Sequence, residues 1–167
     1  MKDSLNIAIA GATGYIGLEL IRILSKHKKV KILYLCATKS IGKSIYTFDK
    51  RIKKSNLPRI SSIENIQWNK VNILFTALPN GEAQKIAKLL PEEVKLIDLS
   101  ADFRLNDYKV YKKWYGNTHK SKKFIIKSIY AITEFSRKQL SKHNIISCPG
   151  CYPTSIQIPL IPLIKKK

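Results

Sequence analysis

Residues Asn6-Ile7-Ala8-Ile9-Ala10 are an uncharged apolar run, and Gly11-Ala12-Thr13-Gly14-Tyr15-Ile16-Gly17 follows it directly. Leu18, Leu20, Ile21, Ile23 and Leu24 then recur at helical spacing until the pattern breaks at Ser25-Lys26-His27-Lys28-Lys29. Residues 30–37 are apolar again. Strand, glycine turn, helix, strand is one βαβ unit, which commits the chain to a parallel sheet covered on both faces. In that setting each glycine has its own task. Gly11 permits the tight turn, Gly14 lets the main chain approach a pyrophosphate, and Gly17 lets the helix lie close on the strand. The free N–H groups at the helix start favour the negative charge. Gly11, Ala12, Thr13, Gly14, Tyr15, Ile16 and Gly17 therefore read as a dinucleotide cradle with spacing wider than Gly-x-Gly-x-x-Gly. The competing reading is a glycine turn with no ligand.

The end of the second strand refines the cofactor. An NAD site places an acidic residue there to hold the ribose 2′-hydroxyl. Here the chain reads Ala37-Thr38-Lys39-Ser40, with Lys43 close by. Thr38 and Lys39 suit a 2′-phosphate, which favours NADP(H), although a lysine anywhere in so basic a chain is weak support.

Alternation continues. Residues 38–69 are a polar excursion with an edge segment near Leu57-Pro58-Arg59-Ile60. Residues 71–78 read as a strand, 82–90 as a helix stopped by Pro91, and 94–99 as a strand. Residues 100–118 read as aromatic-rich loop with a possible short helix. Residues 124–132 read as extended, 134–142 as a short helix with Thr133 as N-cap, and 144–147 as a strand. The expected class is α/β, a Rossmann-like doubly wound, mostly parallel sheet.

The last of these strands runs into Cys148-Pro149-Gly150-Cys151-Tyr152-Pro153-Thr154, read as strand, tight turn and helix start. A cysteine at a helix start tends toward the thiolate, the nucleophilic form. Four readings compete. A zinc site needs about four ligands, and Cys36, His27, His119 and His143 supply no second paired spacing. A dithiol redox pair, a buried structural cysteine, and a lone nucleophile at Cys151 are the others. The dinucleotide turn favours the nucleophile and predicts no metal.

Charge points elsewhere. Lys and Arg number 31 against 11 Asp and Glu, a formal net charge of +20. Nucleic acid is the pointed reading. But the lysines are spread along the chain rather than striped, and Lys, Ile and Asn all have A/T-rich codons. Compositional drift is the better account, so no nucleic-acid partner is expected. Three cysteines, no apolar run of membrane-spanning length and no signal peptide after Met1-Lys2-Asp3 predict a reduced, cytoplasmic protein with no membrane partner.

With these pieces placed, the sequence resembles the N-acetyl-γ-glutamyl-phosphate reductases of arginine biosynthesis along essentially its whole length. The resemblance is carried in order by Gly11 to Leu20, Ala77-Leu78-Pro79-Asn80-Gly81, Asp98-Leu99-Ser100-Ala101-Asp102-Phe103-Arg104-Leu105, Trp114-Tyr115-Gly116 with His119, Tyr130-Ala131-Ile132-Thr133-Glu134, and Pro149 to Thr154. It departs at Cys148, where the family usually has Asn, at Asn80 (His) and at Thr38-Lys39 (Ser-Arg). Pro159 falls inside the expected helix after the nucleophile.

The resemblance implies NADPH-dependent reduction of an N-acetyl-glutamyl 5-phosphate to the semialdehyde through a Cys151 thioester. Leu78 and Pro79 would border the nicotinamide. Arg104 would hold the substrate phosphate, the alternative being an ion pair with Asp98 or Asp102. A semialdehyde dehydrogenase acting on another acyl phosphate is the related alternative. It further implies an NADP-binding domain over residues 1–147 and, from 148 to 167, the nucleophile turn and the start of a catalytic and dimerisation domain largely absent from this chain. The family's acid–base histidine lies in that region, and none of His27, His119 and His143 matches it. A fragment or an interrupted gene is expected, inactive by itself, with the full-length protein a homo-oligomer.

Overall fold

The computed structural model describes residues 4–52 and 56–166. Residues 1–3, 53–55 and 167 lie outside the described residues, and with them the expectation drawn from Met1-Lys2-Asp3. The strands are β1 (Leu5–Ala10), β2 (Val30–Cys36), β3 (Ile60–Ser61), β4 (Ile73–Thr76), β5 (Lys95–Asp98), β6 (Ser128–Tyr130) and β7 (Ile145–Ser147). The helices are α1 (Tyr15–Leu24), α2 (Glu82–Ala87), α3 (Tyr108–Tyr115), α4 (Lys122–Ile125), α5 (Thr133–Leu140) and α6 (Cys151–Lys165). Among the described residues the seven strands make one parallel sheet in the order β3-β2-β1-β4-β5-β7-β6. The order runs outward both ways from β1, as the doubly wound reading requires.

The chain divides into two compact units, Met1–Leu78 with Leu90–Leu96, and Pro79–Leu89 with Ile97–Lys167. In the first, β1 lies between β2 and β4, with Ile7 opposite Ile32 and Ile73. Its residues Ile7, Ala8 and Ile9 are fully buried. Such a strand has no solvent face, which is why it reads as an unbroken apolar run. Ile7, Ile9, Ile21 and Leu35 anchor the core, each worth roughly 1.5–3 kcal/mol of transfer free energy. The excursion after β2 returns as the two-residue β3 on Leu35 and Cys36. Single 3-10 turns at Ile45–Thr47, Ile63–Asn65 and Trp68–Lys70 space it out.

In the second unit, α3 begins where the Asp107 carboxylate accepts from Lys109 N and Val110 N, and ends at Gly116 with φ 73°. Both are ordinary helix-end chemistry. Three expectations are corrected. Residues 124–132 are not uniformly extended. Lys122–Ile125 forms one helical turn that buries Ile125, and only Ser128–Tyr130 is strand. Phe124, Ile125 and Ile126 are three consecutive apolar residues, a pattern with no two-residue alternation to distinguish strand from turn. Thr133 is the first residue of α5 rather than its cap. Ile132 caps with its carbonyl, which accepts from Phe135 N and Ser136 N. α2 is also shorter than expected, its last turn tightening through Leu89 N to Ile86 O.

Candidate active site

The glycine turn closes at the carboxyl ends of β1, β2 and β4, where Ala10 stands opposite both Cys36 and Thr76. Gly11 N and Ala12 N both donate to Cys36 O, at 2.9 and 3.0 Å. Gly11 has φ +86°, and a Cβ there would lie 2.2 Å from Ala77 O and 3.3 Å from Leu78 Cδ2. A Cβ on Gly17 would meet Gly11 O at 2.1 Å. Both glycines are required by main-chain packing. Gly14 differs: its nearest neighbour would be 3.4 Å away, and it caps α1 without any side chain closing the helix end. The first-turn N–H groups have no partner within the helix, and Tyr15 and Ile16 beside them are exposed. The turn thus offers an open main-chain approach backed by a positive helix end, which fits a pyrophosphate. Ala12 is buried, Thr13 half-buried, and Thr38 and Lys39 are exposed just past β2.

In the second unit Cys151 is the first residue of α6 and is exposed. Gly150 caps the helix through its carbonyl, which accepts from Thr154 N at 3.0 Å and Thr154 Oγ1 at 2.9 Å. No side chain caps this end either. The loop before it is tied down by main-chain bonds. Cys148 N donates to Asp98 O at 2.7 Å. Arg104 Nε donates to Cys148 O at 2.9 Å and Nη2 to Leu99 O at 3.1 Å. Arg104 Nη1 stands beside Gly150, 3.1 Å from where a Cβ would be. The structure therefore brings Arg104 to the cysteine loop and spends two of its nitrogens on carbonyls.

Burial pushes the Cys148 thiol up to about 11; the Asp98 carboxylate adds to this and Arg104 opposes it. Burial likewise raises Cys36 to about 11, with the Ser61 hydroxyl opposing. Cys151 is the exposed member of the three free cysteines. Among the described residues no group of three or more His, Cys, Asp or Glu side chains is placed to hold a metal.

Sequence reasoning missed what surrounds Asp102. Its carboxylate is fully buried. It accepts from Gly81 N at 2.7 Å, Gln84 N at 3.2 Å, Gln84 Nε2 at 3.1 Å and Tyr111 Oη at 2.9 Å. Its carbonyl bonds His119 Nε2 at 2.8 Å, and Ser121 N donates to His119 Nδ1 at 3.2 Å, which places the ring proton on Nε2. Burial holds His119 below the usual imidazole range and raises the Tyr111 phenol, with the Asp102 bond adding to it. The available signal was Gln84, a polar residue in the stripe of Ala83 and Ala87 that α2 buries.

Comparison with known proteins identifies relatives of the chain. A protein of Ehrlichia chaffeensis named N-acetyl-gamma-glutamyl-phosphate reductase is 42% identical over 166 residues, which cover 99% of this chain and 48% of that protein. A probable chloroplastic N-acetyl-gamma-glutamyl-phosphate reductase of Oryza sativa is 38% identical over 99% of this chain and 40% of its own length. The chain thus spans about half the length of the curated relatives it matches. Two solved structures share the fold. Aspartate semialdehyde dehydrogenase II of Vibrio cholerae superposes with a TM-score of 0.72 at 21% identity, over 98% of this chain and 43% of that one. The Candida albicans aspartate semialdehyde dehydrogenase with NADP gives 0.63 at 19% identity, over 98% and 48%. The family described as semialdehyde dehydrogenase, NAD binding domain, matches residues 6–143. That match, from the first strand almost to the last, places the chain in this family, with a nicotinamide dinucleotide as its class of cofactor.

Proposed function

We propose that this chain is the cofactor-binding and nucleophile-bearing part of an N-acetyl-γ-glutamyl-phosphate reductase that uses NADPH. The observation that carries the reading is Cys151, exposed on the first turn of a fifteen-residue helix with no side-chain cap. The names of relatives matching 99% of the chain support it.

The Cys151 sulfur attacks the carbonyl carbon of the acyl phosphate. A C–S bond forms, the C–O bond to phosphate breaks, and inorganic phosphate leaves with the electron pair. Arg104 Nη1, the nitrogen not engaged by the carbonyls, takes part of the charge on the departing phosphate. Gly11 to Gly17 and the end of α1 hold the pyrophosphate, Thr38 and Lys39 the 2′-phosphate, and Leu78 and Pro79 border the nicotinamide. A nicotinamide held there would supply hydride to the acyl carbon; the C–S bond then breaks, releasing the aldehyde and returning Cys151 to the thiolate. Residues 148–167 open the catalytic region, and the full-length protein is a homo-oligomer.

The test is alkylation. Iodoacetamide at pH 8 modifies the exposed Cys151 ahead of Cys148 and Cys36, which are less exposed and whose thiols burial pushes up to about 11. An acyl phosphate slows the Cys151 reaction. Preferential labelling of Cys148, or no effect of acyl phosphate at saturating concentration, sinks the assignment.

A further inference from the structure

We propose that Asp102 is a positioning residue that sets the conformation of two catalytic segments of the second unit, the turn of Pro79, Asn80 and Gly81 and the loop of Cys148 to Cys151. The inference rests on the function proposed above and names a part of the site that the nucleophile reading leaves out.

Asp102 is held at every polar atom. Its N–H donates to Ser100 Oγ at 3.2 Å, and Ser100 is in turn fixed by the buried Asp98 carboxylate through N and Oγ at 3.0 and 2.8 Å. Its carbonyl is bonded to His119. Phe103, next in the chain, is 1% exposed and packs edge-on to the His119 ring at 5.5 Å between centroids. One residue further on, Arg104 leaves this fixed turn to reach Leu99 O and Cys148 O. The main chain of Asp102 therefore aims the guanidinium that holds the nucleophile loop.

The carboxylate faces the other way. Oδ1 takes Gly81 N, Gln84 Nε2 and Tyr111 Oη, and Oδ2 takes Gln84 N. All four partners are donors, so the site wants an acceptor at both oxygens. Gly81 has φ +93°, and a Cβ built there would have no neighbour within 4 Å. Crowding therefore does not hold that turn; Glu82 N closes it on Pro79 O at 3.2 Å, and the Gly81 N–H donated to Asp102 ties it to the second unit's core. A buried carboxylate left without its full set of donors is costly, so each donor lost weakens the arrangement.

The discriminating variant is Asp102→Asn. Its amide has the same shape, but it puts a donor against donors whichever way it is turned. Ile125→Ala, which empties a buried apolar site of the same unit, is the control for a general loss of stability. Both are studied in the full 167-residue chain at a temperature where circular dichroism shows them folded. D102N slows carbamidomethylation of Cys151 about fivefold and weakens NADPH binding, read by fluorescence titration, about tenfold. I125A changes each by less than about twofold despite a comparable fall in Tm. Tyr111→Phe removes one donor to the carboxylate and keeps the ring. It gives the same pattern at about half the amplitude and carries the test if D102N does not fold.

An unchanged or faster Cys151 reaction in D102N, or equal effects in D102N and I125A, overturns the proposal. If the wild-type chain binds no NADPH while its Cys151 rate still falls in D102N, the cofactor assignment fails and the positioning role stands.

Discussion

A Cβ on Gly17 would stand 2.1 Å from Gly11 O, whereas one on Gly14 would stand 3.4 Å from the same atom. The two glycines of one motif thus separate packing from binding. Gly17→Ala forces α1 off the Gly11-Ala12 turn, costing about 3 kcal/mol and lowering Tm by roughly 6–12 °C. Gly14→Ala leaves Tm within about 2 °C but weakens dinucleotide binding by roughly tenfold, because its Cβ occupies the approach to the pyrophosphate. Paired melts and NADPH titrations check both.

His119 gives a second residue-scale outcome. Its folded form stays neutral because burial opposes the charge. The unfolded chain takes up a proton near pH 6.5, so between that pH and the lower folded value the unfolded state binds more protons. Stability from this group is complete above about pH 6.5 and is lost as the pH falls toward the folded value. The surroundings are Asp102 at the ring and the aromatic faces of Phe103 and Tyr111. Melting curves from pH 8 to pH 5 show a Tm decline that is flatter in His119→Gln.

Among the elements, α6 breaks the most sequence rules. It runs fifteen residues through Pro159 and Pro162, and none of its residues is buried. Each proline removes an N–H that would meet the carbonyl four residues back, Ser155 O and Ile158 O, at a cost of up to about 3 kcal/mol. Pro159→Ala restores one such bond and raises Tm by roughly 3–10 °C, with a gain in far-UV helicity as the check. The elements legible in the sequence are those with the strongest apolar pattern, β1 above all, whose last four residues are buried. β1, β2, β4 and β5 announce themselves as apolar runs, and α1 by its spacing. α3 was harder, since Lys109, Lys112 and Lys113 dilute its pattern. Yet Asp107 at its start, Gly116 at its end and Tyr108, Tyr111 and Tyr115 at helical spacing define it. In the site, the tight turn at Gly11, the close packing at Gly17 and the place of Cys151 at a helix start were legible from local chain grammar. The bonds from Arg104 to Cys148 O and from Asp102 to Gly81 span 44 and 21 residues, distances over which local pattern carries no signal.

For the whole molecule, one helix and one charge set behaviour in solution. Ile156, Ile158, Leu160, Leu163 and Ile164 are each 40% or more exposed on α6, while the net charge of +20 keeps copies apart at low ionic strength. Among the described residues no helix is long and apolar enough to cross a membrane. Raising the salt screens the repulsion and uncovers the apolar contact, so light scattering and the fluorescence of an anilinonaphthalene dye rise together. Leu163→Glu with Ile164→Lys reduces both by about half or more.

The sheet contributes little to this self-association. Its two borders are β3, two residues long, and β6, three, too brief to recruit a foreign strand. Precipitates formed by this chain therefore keep the far-UV spectrum of the native fold, redissolve on dilution into low salt, and leave thioflavin T dark.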